Sequence, residues 1–146
     1  MRLTEEETRT RLAGARVARL ATVGGDGQPH VVPVTFAVDG DLIYSAVDAK
    51  PKTTTRLARL RNIAAEPRVA MLADHYEPDW DLLWWARADG SATVLAGAAE
   101  MAGPVALLAR RYPQYRAAPP RGPVIAVRVE RWTGWAASAG QRGQET

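Results

Sequence analysis

The feature that most constrains this chain is its punctuation. Short β-prone runs are cut at close intervals by glycine-bearing turns. Val17, Ala18, Leu20, Ala21 and Val23 end at Gly24-Gly25-Asp26-Gly27. His30 to Val38 ends at Asp39-Gly40-Asp41, and Leu42 to Val47 follows. Runs of this length between such turns read as strands, and these three predict an antiparallel meander. Pro33 lies inside the second run. It has no amide proton for a ladder, so it belongs at a bulge or an unpaired edge.

The flanking segments read as follows. Thr4-Glu5-Glu6-Glu7 is a capping box in front of a short surface helix over about 4–14. A helix is expected over 52–65, with Leu57, Leu60 and Ala64 as its buried stripe, Arg59 nearly opposite, and Arg56 and Arg61 at the two edges. Then come a strand over 68–73, a polar and aromatic loop over 74–81, and a hairpin turning at Asp89-Gly90 between 82–88 and 91–96. A helix from Glu100 to Tyr112, disturbed by Gly103-Pro104, leads into a Pro-rich connection over 113–122. The last strand, 124–129, continues through Trp132 and Trp135. Antiparallel strands dominate and βαβ repetition is missing. That predicts a mainly β (α+β) fold, a small barrel or a sandwich with peripheral helices. One domain over 1–138 and a disordered tail over 139–146 are expected.

Composition removes several kinds of chemistry. Among the 146 residues there is no Cys, which excludes disulfides, thiolate metal ligands and Cys nucleophiles. The 2 histidines, His30 and His75, are too few for a mostly imidazole metal site, so no metal is expected. A formal charge of +3 is too mild to imply nucleic acid. Met1 to Arg11 is rich in charge, with Glu5, Glu6 and Glu7, and lacks the apolar stretch of a secretory leader, and no run reaches the ~18 apolar residues of a membrane span. A cytoplasmic location with no membrane partner is the expectation.

The cations are distributed unevenly. Almost all are Arg, and both lysines of the chain sit in Lys50-Pro51-Lys52. From Ala49 to Ala65 there are five cations (Lys50, Lys52, Arg56, Arg59, Arg61) and no acid. The expected helix start contributes free amides and the positive end of a dipole, and Thr53, Thr54 and Thr55 add hydroxyl donors. Lys50, Lys52 and Thr53, with Arg56 nearest to them, are therefore candidates for holding a phosphate. The alternative is that the arginines form a solvated basic face.

At these residues the chain resembles the pyridoxamine-phosphate-oxidase-like split β-barrel proteins, in particular their branch that uses the deazaflavin coenzyme F420. The resemblance rests on Ala15 to Val23, Asp26 to Val34, Asp39 to Tyr44, Lys50-Pro51-Lys52, Glu66 to Val69 and Arg131 to Trp135, in the family's order. It implies an FMN-binding-like split β-barrel forming a homodimer with the cofactor at the subunit interface. The ring would lie against the second strand around Pro33, Val34 and Thr35, bordered by Ser45 and Ala46. Lys50 and Lys52 match the phosphate-holding positions. Trp135 or Trp132 matches an aromatic that closes over the ring, and Trp85 a contact from the partner subunit. Two departures are visible: a longer segment between Lys52 and Pro67, and Thr35 where many relatives carry an aromatic.

F420 extends from its phosphate into a polyanionic tail, whereas FMN ends at its phosphate. A cationic strip running on through Arg56, Arg59 and Arg61 leans towards F420, with FMN as the alternative. The implied activity is hydride transfer between reduced F420 and a planar conjugated small-molecule acceptor. Trp80, Trp84, Trp85, Trp132 and Trp135 are candidate walls, with ordinary core or dimer packing favoured for Trp80 and Trp84. Tyr44, His30 and His75 are available as proton sources, and no catalytic acid is assigned. The rivals are an FMN-dependent oxidase or reductase, a non-catalytic binder of F420 or a tetrapyrrole, and a small barrel for single-stranded nucleic acid. The last is rated low because the cations cluster at one turn.

Overall fold

The computed structural model describes residues 1–47 and 57–138. Lys50, Lys52, Thr53 and Arg56, and the 139–146 tail, lie outside the described residues. The elements are α1 (Glu5–Gly14), β1 (Ala18–Val23), β2 (Pro29–Val34), β3 (Ala37–Asp39), β4 (Leu42–Ala46), α2 (Ala58–Ala65), β5 (Arg68–His75), β6 (Trp84–Leu95), α3 (Ala98–Arg111), α4 (Pro113–Ala117) and β7 (Val124–Ala136). The seven strands form one sheet in the order β2-β1-β5-β6-β7-β4-β3. Every pairing is antiparallel.

That order forces the sheet to close on itself. Its two edge strands, β2 and β3, are consecutive in the chain, with only Thr35 and Phe36 between them. Laid flat, six strand spacings would part the edges by about 29 Å. Three Cα–Cα steps from Val34 to Ala37 reach at most about 11 Å. The sheet therefore rolls into a split barrel, and Phe36, fully buried, enters the core at the crossover. The expected meander is corrected here: β1–β2 and β3–β4 are separate hairpins, and the 30–38 run breaks at Thr35. Pro33 sits opposite Arg19 on the edge strand β2, where its missing amide proton costs no ladder bond.

A second correction concerns Asp89-Gly90. Residues 84–95 form one strand, not a hairpin, with a bulge where Asp89 pairs with Arg131 and Gly90 with Val129, leaving Glu130 unmatched. A Cβ at residue 90 would lie 2.1 Å from the Arg128 carbonyl oxygen, so glycine is present because two backbones touch. Strand β7 changes facing at this bulge. Trp135, Thr133 and Arg131 share the outer face with Trp85, Arg87 and Asp89, while beyond it Arg128 pairs with Ser91 on that face.

The helices close the ends. Thr4 caps α1 with a capping box: its hydroxyl accepts the Glu7 amide at 3.1 Å, and the Glu7 carboxylate accepts the Thr4 amide at 3.0 Å. In α2 the buried residue is Ile63, while Ala64 is exposed. Leu57 and Leu60 of the expected stripe do pack against the core; the corrections are Ala64, replaced by Ile63, and Arg59, which lies one turn before Ile63 and is half-buried. Asn62 donates to the Thr22 hydroxyl at 3.0 Å and ties α2 to β1. Helix α3 packs over the outside of β3 and β4, where Leu108 and Tyr112 bury Ala37 and Ala46.

The end of α3 clasps the crossover. Tyr112 Oη accepts the buried Phe36 amide at 3.1 Å, and its proton lies between the Arg16 carbonyl at 2.8 Å and that of Phe36 at 3.0 Å. The Arg111 guanidinium donates to the carbonyls of Phe36, at 3.0 Å, and Ala15, and lies 4.7 Å from the Phe36 ring centroid. A second clasp sits on the β3–β4 turn. Asp41 accepts from Arg9 at 2.7 Å and from Trp132 Nε1 at 3.1 Å, with Arg9 also 5.2 Å from the Trp132 ring centroid.

Two predictions follow from these clasps. Tyr112→Phe keeps the ring but strands the Phe36 amide, and urea unfolding should show a loss of about 1–3 kcal/mol. Hydrogen bonds from Trp132 and then Arg9 hold the Asp41 carboxyl below its ordinary value. A carboxyl depressed on folding contributes stability above its unfolded value, near 3.9, that disappears as pH falls through the folded one. Melting temperature followed down from pH 5 should therefore fall less steeply in Asp41→Asn than in the parent.

Candidate functional site

The residues singled out from the sequence fall into two groups. The first surrounds the crossover. Val34 ends β2 buried, and Thr35 follows half-exposed. The buried Ser45 donates its hydroxyl to the Thr35 carbonyl at 2.8 Å, and Ala46 beside it is 7% exposed. Thr35 Oγ1 lies 2.7 Å from the hydroxyl of Tyr115 on α4, whose ring meets Tyr112 edge-on at 5.6 Å between centroids. Lys50, Lys52, Thr53 and Arg56 follow Val47 in the sequence and lie outside the described residues. Ser45 and Ala46 thus brace the Thr35 backbone, and Thr35 is the polar surface that remains.

Arg59 belongs to this region electrostatically. Burial lowers its guanidinium from the ordinary value, while neighbouring Tyr115 acts in the opposite direction. It forms no ion pair among the described residues. An arginine remains charged throughout, so a half-buried cation without an acid is available to an anion or to a polar oxygen.

The second group lies on the outer face of the sheet. Pro33 pairs with Arg19, Arg19 with Leu72, Leu72 with Arg87 and Arg87 with Thr133, which makes one cross-strand row. The adjoining row holds Asp74, Trp85 and Trp135. Leu72, Asp74, Tyr76, Trp85 and Arg87 line a cleft of about 430 Å³. The Arg87 guanidinium lies 5.6 Å from the Trp85 ring centroid and also pairs with Asp89 at 3.1 Å. Trp135 (38% exposed), Val31 (60%), Tyr76 (67%) and Trp80 (74%) leave much apolar surface open to solvent in this one chain. Pro33 shares this face with Trp85 but stands three strand spacings away, about 14 Å. Within one chain the β2 strand end and the tryptophans do not meet.

The other tryptophans divide differently. Trp132 is a core residue, 7% exposed, and Trp84 packs against that core. Trp80 is no core residue: it stands exposed in a short 3-10 turn (Trp80–Leu82) of the single chain. His75 pairs with Glu77 and stacks on Trp84, while His30 Nδ1 is buried without a hydrogen-bond partner. Neither histidine belongs to the crossover group. The sequence reading missed Tyr112 and Tyr115. The signal was an aromatic pair three residues apart after Arg110-Arg111, masked by the proline-rich composition around it.

Comparison with known proteins agrees with this architecture. The sequence profile of the family described as "Pyridoxamine 5'-phosphate oxidase" matches residues 4–136, and the chain belongs to that family. A 5a,11a-dehydrotetracycline/5a,11a-dehydrooxytetracycline reductase of Streptomyces rimosus is 36% identical over 74 residues, 51% of this chain and 50% of that protein. The chain thus spans about half the length of the curated relative it matches. A FAD-binding protein from Mesorhizobium loti superposes with a TM-score of 0.69 at 21% identity, covering 92% of this chain and 95% of the other. A heme binding protein from Mycobacterium smegmatis gives 0.73 at 24% identity over 93% of this chain and 55% of the other. At such identities the solved structures establish the split-barrel fold. Among the described residues no helix is long and apolar enough to cross a membrane.

Proposed function

We propose that the chain is a coenzyme F420-dependent oxidoreductase, passing a hydride between reduced F420 and a planar conjugated acceptor at the interface of a homodimer. The observation that carries this reading is the division of the site. A polar strand end (Thr35, with Ser45 and Ala46 behind it) and an exposed aromatic face (Trp85, Trp135) lie on one sheet, too far apart to share a ring within one chain. A second copy laid across that face brings the tryptophans of one subunit to the strand end of the other. It also covers Val31, Leu72 and Trp135, whose exposure is unusual for a solitary domain.

The described residues fit a flat heterocycle: Thr35 has a hydroxyl at the strand end, and Trp85 supplies an aromatic wall. The cofactor itself supplies the hydride chemistry. The protein's part is placement. Pro33 to Thr35 support the ring, Ser45 fixes the Thr35 backbone, and the aromatic face shields the stack from water. Lys50, Lys52, Thr53 and Arg56 take the phosphate, and the basic residues that follow favour the longer polyanion of F420 over FMN. The partial match to a dehydrotetracycline reductase supports a reductive direction and a fused-ring acceptor.

The deciding experiment titrates the purified protein side by side with F420, FMN and hemin. Tight F420 binding by a colourless preparation supports the reading, and stoichiometric flavin overturns it in favour of an FMN enzyme. Binding without oxidation of reduced F420 across a broad panel of conjugated acceptors makes the protein a carrier instead. Lys50→Ala combined with Lys52→Ala should weaken cofactor binding by about 3 kcal/mol or more, because each charge-assisted bond is worth about 1.5–3 kcal/mol. For the dimer, Leu72→Arg places a charge at the centre of the exposed face. It should halve the mass measured by sedimentation equilibrium and abolish cofactor binding together, and an unchanged mass would place the interface elsewhere.

A further inference from the structure

The cleft on the outer face of the sheet carries charges that the proposed hydride transfer does not account for. Two adjacent cross-strand pairs set its floor, Leu72 opposite Arg87 and Asp74 opposite Trp85. Arg87 and Asp74 are therefore diagonal neighbours on one face, with Cβ atoms about 7 Å apart, a span that a long side chain can bridge. They form no ion pair with each other among the described residues, and each is drawn out of the square. Asp74 faces Arg19 on β1 at 3.8 Å, while Arg87 Nε donates to Asp89 at 3.1 Å.

That division leaves an arginine fork beside an aromatic wall. The Arg87 guanidinium lies 5.6 Å from the Trp85 ring centroid. Asp89 takes its Nε, and its two terminal amines have no partner among the described residues. Arg131 also approaches Asp89, at 3.8 Å, so one carboxylate serves two guanidiniums and the face beside the cleft holds a cation in excess. A guanidinium anchored at Nε presents its terminal amines as a flat fork, which matches two oxygens in one plane. Leu72 and Trp85 give apolar surface to a flat ring, and about 430 Å³ lies within the ~300–1,000 Å³ of small-ligand sites. We propose that this cleft binds a flat aromatic anion, and that Arg87 sets its specificity by taking a coplanar oxygen pair at the ring edge, a carboxylate or an ionised 1,3-dicarbonyl. Because Trp85 is also the wall of the hydride site, the cleft is the subsite of the acceptor. That role rests on the function proposed above; the preference for an anion does not.

The probe is 2-naphthoate, with its methyl ester as the uncharged match on the same rings. Dissociation constants come from calorimetry on the full chain at pH 7, with and without whichever of F420 and FMN it binds. Near-ultraviolet dichroism and sedimentation check folding and assembly. The parent should bind naphthoate at least about tenfold more tightly than the ester, the gain expected of a charge-assisted pair. Arg87→Gln should bring naphthoate to the level of the ester and leave the ester and the cofactor unchanged. Arg87→Lys keeps the charge without the fork and should recover only part of the preference. Asp74→Asn removes the carboxylate that lines the cleft and should tighten naphthoate severalfold with the ester unmoved; it carries the test by itself where Arg87→Gln fails to fold or assemble. With reduced cofactor bound, naphthoate should raise KM for the conjugated acceptor at constant kcat.

Equal affinity of the parent for naphthoate and its ester would overturn the anion site, as would a preference that survives Arg87→Gln or ignores Asp74→Asn. A loss of cofactor affinity in Arg87→Gln would place Arg87 on the cofactor and overturn it equally. Inhibition that lowers kcat and leaves KM alone would overturn the acceptor role. A parent protein that binds neither F420 nor FMN removes the proposed function and the acceptor role together, while the titration without cofactor still decides the anion site.

Discussion

The clasp at the end of α3 is the interaction on which the rest of the molecule depends. A sheet whose edge strands are consecutive in sequence has to turn sharply at Thr35-Phe36, and that turn leaves backbone groups without ladder partners in the protein interior. Tyr112 satisfies the Phe36 amide, and Arg111 takes the Phe36 carbonyl while its flat face covers the Phe36 ring. The same two side chains reach Ala15 and Arg16, the link between α1 and β1. One helix end thus supplies partners to two chain reversals, and Phe36 is held at the centre of the core. Without that clasp the polar groups of the crossover would need water where the barrel excludes it.

Much of the fold was legible because local chemistry and tertiary structure agree. The Thr4 capping box, the β1–β2 and β3–β4 hairpins at their glycine turns, and Pro33 on an edge all follow from short-range rules. The errors arose where a long-range contact reassigned a local signal. Asp89-Gly90 has the composition of a turn, but the glycine is required by the Arg128 carbonyl on another strand. In α2 a stripe of Leu57, Leu60 and Ala64 satisfies helical spacing; the barrel takes Leu57 and Leu60 but Ile63 in place of Ala64. With Ile63 on the buried side, Arg59 one turn before it is half-buried and not on the expected solvent face.

The site was legible in its residue types and not in its assembly. Thr35, Ser45 and Ala46 come together because the sheet rolls, and Trp85 faces Trp135 because β6 and β7 pair along most of their length. No spacing rule reveals that Tyr115, eighty positions from Thr35, completes the polar end of the crossover. The separation between the strand end and the aromatic face follows from strand order alone, which periodicity does not report. The family match establishes the architecture, while the choice among heterocyclic ligands rests on the few polar groups that the barrel leaves exposed.

The bulge at Asp89/Gly90 has a wider effect than its single unmatched residue suggests. Glu130 shifts the alternation of β7 by one place, so the portion before it turns Val124 and Ala126 towards α3 and the portion after it turns Thr133 and Trp135 towards the open face. One continuous strand therefore serves two differently clothed halves of the barrel. A regular ladder that paired Glu130 with Gly90 would turn that half of the strand inside out, placing Val129, Val127 and Ile125 where Arg128, Ala126 and Val124 now stand.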